Sequence, residues 1–158
     1  VAEVVLRPVE DGDLVAFFAW QRDPESVRLA AVDARTEEAF TTHWGRIRAD
    51  PTVKLLTIVA DGAVAGHVVS WQADDRRLVG YWLGRPFWGR GIASAALAQL
   101  VDLDRRRPLH AIVAGHNAAS LRVLEKAGFR VVEERPAEDG PDGAPVVEIH
   151  LVLEDVDG

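Results

Sequence analysis

The chain contains no cysteine, which excludes disulfides, thiolate nucleophiles and cysteine-bound zinc. It lacks any apolar run close to the roughly 18–20 residues that a membrane span needs. Its first residues, VAEVVLRPVEDGD, have neither the basic start nor the apolar block of a secretory leader. These absences lead to the expectation of a cytoplasmic protein without a membrane partner. A basic excess is missing too. Lysine and arginine number 18 against 25 acidic residues, a formal charge of −7. Broad nucleic-acid binding needs a basic face to displace counterions, so no nucleic-acid partner is expected. The balance favours a cationic partner such as an amine or a basic peptide. The five histidines show no metal-ligand spacing such as HExxH, so no metal is expected.

What is present fits one globular domain over 1–158. The length, with 48% apolar and 27% charged residues, supports one core. Residues 4–9 read as a strand. From Asp13, a plausible N-cap, the spacing of Leu14, Phe17 and Phe18 predicts a helix, interrupted at Asp23-Pro24. Thr36-Glu-Glu opens another helix, to about Ala49, with acidic residues in its first turn. KLLTIVA (54–60), a turn at Asp61-Gly62 and AVAGHVVSW (63–71) read as a hairpin. LVGYWLG (78–84) is the next strand, and a helix then runs to about Arg106. The charged run Asp104–Arg107 reads as a solvated helix end. LHAIVA (109–114) is a short buried strand, and a helix from Asn117 to Ala127 stops at Gly128. Residues 129–135 and 146–154 are the final strands. The order is β-α-α-β-β-β-α-β-α-β-β, a mixed α/β layer structure.

The stretch FWGRGIASAAL (87–97) carries the first chemical signal. The opening N–H groups of a helix lack partners and sit at the positive end of its dipole. Glycines leading into that end let the backbone of Trp88–Ala93 wrap a phosphate or pyrophosphate, with Arg90 adding charge at the rim. Gly84-x4-Gly89 imitates a Walker loop, but Arg90-Gly91 replaces its lysine and Ser/Thr. Gly89-x-Gly91-x-x-Ser94 lacks the third glycine of a dinucleotide fingerprint. A glycine-permitted turn with no ligand remains open on this stretch alone.

VGYWLGRPFWGRGIASAAL (79–97) resembles the acetyl-coenzyme A signature of the GCN5-related N-acetyltransferases, and most of all the branch with the ribosomal-protein N-terminal (alanine/serine) acetyltransferases. Gly91 and Ala93 match its Gln/Arg-x-x-Gly-x-Gly/Ala pattern. Trp88 replaces the Gln/Arg, a departure associated with that branch. NAASLRVLEKAGF (117–129) resembles the family's Asn-x-x-Ser…Glu-Lys-x-Gly-Phe element, and residues 6–25 resemble the branch's opening. The likeness spans nearly the whole chain. It implies a mixed, mostly antiparallel sheet of about seven strands, splayed between strands 4 and 5, with about four helices packed on it.

The resemblance further implies direct acetyl transfer from acetyl-CoA to a primary amine, on a protein N-terminus or a small molecule, in a ternary complex. Trp82 and Leu83 then hold the pantetheine through main-chain groups, and a nearby N–H polarises the thioester oxygen. Trp88, Gly89, Arg90, Gly91, Ile92 and Ala93 grip the pyrophosphate. Asn117 is a helix N-cap by its type and a coenzyme contact by the resemblance. Ser120 is the candidate proton donor to the leaving thiolate. Leu124 stands where many relatives have a tyrosine acid, and Leu78 where many have a strand-four glutamate. His67 is a weak candidate base on an apolar strand, where a structural histidine is commoner. His110 and His116 lie near the cleft in sequence. Arg122 and Lys126 are candidates for coenzyme phosphates. Trp20, Trp44 and Trp71 are candidate walls of the acceptor site, expected between the N-terminal helices and the loop before the last strand. The acidic run 133–142 offers attraction for a cation. The departures at Leu78 and Leu124 keep a second class open, an acyl-CoA-binding sensor without turnover. Either a monomer or a homodimer suits both.

Overall fold

The protein is described here by a computed structural model covering residues 2–137 and 145–155. Its elements follow the order β1 (Val4–Pro8), α1 (Asp13–Gln21), α2 (Pro24–Ala30), α3 (Glu37–Ala49), β2 (Lys54–Ala60), β3 (Ala63–Ala73), β4 (Arg76–Leu83), α4 (Ile92–Leu103), β5 (Leu109–Ala114), α5 (Ala118–Lys126), β6 (Arg130–Pro136) and β7 (Val147–Leu153). One sheet takes all seven strands in the order β1-β2-β3-β4-β5-β7-β6. Only the β4–β5 pair is parallel among the described residues. The mixed, mostly antiparallel sheet implied by the resemblance is therefore present.

Five α-helices are described where four were expected, and α2 is the addition. Pro24 reads as a break because it pushes Asp23 out of helical geometry, yet proline is also well suited to the first helical position. Asp23 then caps the new helix: its carboxylate accepts from the Ser26 N–H at 3.1 Å and the Ser26 hydroxyl at 2.8 Å. Asp13 is a second correction. It lies inside the first turn of α1, buried, held by Arg7 at 2.7 and 2.9 Å and by the Thr57 hydroxyl at 2.7 Å. From there it reaches back to the Glu10 N–H at 2.9 Å.

Strand alternation splits the apolar residues between two faces. Leu56, Ile58 and Ala60 of β2 pack with Ile92, Ala96, Leu97 and Leu100 of α4, and with Leu124 of α5. Leu55 joins the opposite cluster of Phe17, Phe40 and Trp44, supplied by α1 and α3. Each fully buried Leu or Phe of this kind contributes roughly 1.5–3 kcal/mol, so both layers hold the sheet firmly.

The strands that matter most are barely joined. β4 and β5 share only the register positions Arg77↔Leu109 and Leu78↔His110, and beyond these they part into a fork. The closed end is pinned by a buried ion pair. Arg77 Nε donates to Asp104 Oδ2 at 2.9 Å, and the Ser70 hydroxyl donates to the same oxygen at 2.6 Å. Asp104 is 1% exposed, so the expectation of a solvated helix end fails there. This carboxylate fixes the end of α4 against β3 and β4, leaving the other end of the fork open.

Candidate functional site

The mouth of α4 is built by two glycines in the left-handed region. Gly89 has φ +72° and Gly91, the N-cap of α4, has φ +75°, a conformation costly for other residues. Gly91 brings no side chain to cap the helix, so the first-turn N–H groups of α4 remain free for an anion. The loop before them is stapled by Trp88, whose indole N–H donates to the Leu83 carbonyl at 2.9 Å. Arg85 lies over the same indole at 5.9 Å and is bound to Asp23. Gly84 lies so close to Trp20 that a Cβ would meet its ring at 2.5 Å.

A cavity of about 740 Å³ opens at this mouth and runs along the fork. Trp82, Leu83, Trp88, Gly89, Gly91, Ile92, Ala93, Asn117 and Ser120, all singled out in the sequence, line it. Arg90 does not: it pairs with Asp61 at 3.4 Å and lies over Phe87. Arg122 and Lys126 stand on the α5 side of the lining. A second cavity of about 630 Å³ adjoins the first at the fork. It is bounded by Ala30–Val32 at the end of α2, Ile112–Ala114 of β5, and Pro136, Ala137, Val146 and Glu148 in and beside the final strands. Ala30, Tyr81, Trp82, Asn117 and Ser120 line both cavities.

Asn117 performs the capping role, its Oδ1 accepting from the Ser120 N–H at 3.3 Å. Ser120 is 8% exposed, and its Oγ accepts from the Tyr81 hydroxyl at 3.3 Å. Tyr81 was missed in the sequence because it sits inside the quoted strand signature. Its place on the α5 face follows from alternation with Val79, but its partner across the fork does not. Burial raises the Tyr81 phenol above its ordinary pKa, and the bond to Ser120 pulls the other way. Glu148 was also missed, although a lone acid in the apolar run VVEIHLVL was a signal. It stands opposite Ala114, with Arg135 at 3.7 Å.

The histidines are elsewhere. His67 lies on the α1–α3 face of β3, with its ring 5.0 Å from Phe17 and 4.8 Å from Trp44. Its Nδ1 is buried without a partner, and burial, with a smaller push from His43, lowers its pKa to about 3. It lines neither cavity. His110 and His150 share a 3.0 Å contact across β5 and β7, and His116 Nε2 meets the Arg28 carbonyl at 2.7 Å. Trp20, Trp44 and Trp71 do not wall the second cavity. Trp20 packs on Phe87, Trp44 on Phe40 and Phe17, and Trp71 against Gly80. Trp82 is the tryptophan at that wall, its indole N–H bound to the Trp20 carbonyl at 3.3 Å. Of the acidic run 133–142, residues 138–142 lie outside the described residues. Among the described residues no group of three or more His, Asp or Glu is placed to hold a metal, and no helix is long and apolar enough to cross a membrane.

The site is thus a forked α/β sheet with a glycine-led helix mouth and two adjoining cavities at the fork. The chain belongs to the acetyltransferase (GNAT) domain family, whose model matches residues 3–130. It is 30% identical over 111 residues to a Bacillus subtilis (strain 168) protein named "Putative ribosomal N-acetyltransferase YdaF". That match takes in 65% of this chain and 59% of the relative's length. Spermidine N-acetyltransferase from Vibrio cholerae, solved with CoA and spermine, superposes with a TM-score of 0.84 at 14% identity, covering 96% of this chain and 95% of the other. YncA from Salmonella typhimurium, solved with its cofactor acetyl-CoA, gives 0.80 at 20% identity, covering 98% and 95%.

Proposed function

We propose that residues 1–158 act as one N-acetyltransferase domain, moving acetyl from acetyl-CoA to a primary amine by direct attack in a ternary complex. The observation that carries this reading is the wall at the fork, five residues of which line both cavities. Acetyl-CoA suits the first cavity. Its pyrophosphate fits the free N–H groups behind Gly91, a positive helix end that favours anions. Beyond Leu78, β4 has no partner on its β5 side among the described residues, so the edge at Tyr81–Leu83 can take the pantetheine as an added strand. The thioester then reaches the wall at Ser120.

The amine comes through the second cavity. Its one carboxylate among the described residues is Glu148, while Ala30–Val32, Ile112, Val113 and Val146 add apolar side chains beside it. Arg135 is a loose partner, too far for a hydrogen bond and worth little at such exposure, so an incoming ammonium can take its place. Glu148 attracts the amine and is positioned to accept its proton before attack, which requires the neutral form. Both relatives are named as N-acetyltransferases, and the acceptor in one name, spermidine, is an amine.

The test is thiol release from acetyl-CoA in the presence of peptides with different N-termini, spermidine and aminoglycosides. Release that depends on a cationic amine is expected, and Glu148→Gln should raise KM for that amine about tenfold while leaving acetyl-CoA affinity unchanged. If acetyl-CoA binds and no amine elicits release, the chain is instead an acyl-CoA-binding module, the reading that Leu78 and Leu124 keep alive.

A further inference from the structure

We propose that Tyr81 is the proton source for the leaving thiolate and acts through Ser120, whose hydroxyl passes the proton on. This rests on the acetyltransferase reading above. A thioester entering from one cavity and an amine from the other react against the five residues common to both. Ala30 has no polar side chain. The Trp82 indole N–H is already given to the Trp20 carbonyl. Asn117 uses its oxygen to cap α5, and its amide holds no transferable proton. The hydroxyls of Tyr81 and Ser120 remain, 3.3 Å apart, with the phenol donating. That direction leaves the serine O–H free for the sulfur.

The arrangement supplies the acid from β4, across the fork, rather than from α5. Leu124, the position where a tyrosine would rise from α5, is buried in the core, so the relay serine Ser120 is the one α5 residue that lines both cavities. Tyr81 is also the single tyrosine of the chain.

The step balances without an added reactant. The amine nitrogen bonds to the acyl carbon, and the C–S bond breaks with its electron pair going to sulfur. Sulfur takes the Ser120 proton, and Ser120 Oγ takes the Tyr81 proton. The phenolate recovers the proton that the new amide nitrogen sheds. Passing a proton from a phenol to a thiolate is uphill alone, because phenols are ordinarily the weaker acids and burial raises Tyr81 further. The protonated nitrogen of the collapsing intermediate is far more acidic than either and makes the sequence downhill. Burial keeps Tyr81 protonated at neutral pH, so it is ready as an acid.

Three variants test this: Tyr81→Phe, Ser120→Ala and the double change. Each single change should lower kcat about 100-fold, the size of a lost general acid, with KM for acetyl-CoA held within about twofold. The double variant should be no slower than the slower single one, because both break one chain. A second readout needs no amine. Binding of CoA is measured by calorimetry against pH, with desulfo-CoA as the control lacking the thiol. A chain that donates to sulfur stabilises bound thiolate, so CoA should gain on desulfo-CoA as pH rises; Ser120→Ala should remove that gain and Tyr81→Phe should reduce it. The proposal is overturned if Tyr81→Phe keeps the wild-type pH dependence of CoA binding. Loss of that dependence in a protein that acetylates no amine would uphold the contact and sink the acetyltransferase reading instead.

Discussion

His67 sits with an unpartnered Nδ1 between Phe17 and Trp44, and its consequence is for stability rather than for proton transfer. Burial holds the folded pKa at about 3, while the unfolded chain takes up its proton near 6.5. Between those values the unfolded state binds more protons, so stability rises with pH across the window and falls on acidification below about 6.5. One such group contributes about 1.4 kcal/mol per pH unit inside the window. His43, His110 and His150 are shifted in the same direction, so the comparison must be with a variant. His67→Leu should show a shallower loss of stability in urea titrations between pH 6.5 and 4 than the wild type. It should also retain acetyl transfer, since the ring reaches neither cavity; a collapse of kcat with normal folding would restore His67 as a base. The identity of this residue was plain in the sequence, and its strand as well. Which face of the strand met the rings of α1 and α3 was not, because those rings come from segments about 23 and 50 residues away in the chain.

At the scale of elements, α4 and its glycine approach were legible and α2 was not. The helix mouth could be read because left-handed glycines, a missing cap and an apolar face at helical spacing are all local properties. The second short helix was hidden by its proline, whose effect depends on whether Asp23 closes one element or opens the next. Gly91 supplies the direct test of the anion mouth. With φ +75° and no heavy atom within 4 Å of the point where a Cβ would stand, a side chain there meets strain first and then the space the coenzyme needs. Gly91→Val should weaken acetyl-CoA binding at least about tenfold and cost about 1–2 kcal/mol of stability, from a β-branched residue at positive φ. Gly91→Asn tolerates that φ better, so it should fold close to normally and still bind more weakly. Calorimetry on both variants decides the point: wild-type affinity in each would remove the pyrophosphate from this mouth.

For the whole molecule, the fork is the feature on which both cavities depend. It stays open because β4 and β5 meet at only two register positions, while the buried Arg77–Asp104 pair holds the closed end. Coenzyme binding should therefore add protection where the sheet lacks it. Hydrogen exchange at Gly80–Leu83 is expected to slow on addition of acetyl-CoA, with little change in β2. Saturation at about 100 times Kd should raise the unfolding free energy by about 2.7 kcal/mol. Unchanged exchange along β4 would place the pantetheine elsewhere. By itself the sequence determined the seven strands along the chain, the glycine-led helix mouth and the capping Asn117, because each is written in neighbouring positions. Only the tertiary structure decided that Tyr81 meets Ser120, that Glu148 faces the second cavity and that His67 faces neither. Those facts depend on which strands pair and where two of them part, and side chains 39 residues apart meet only once the sheet has closed around them.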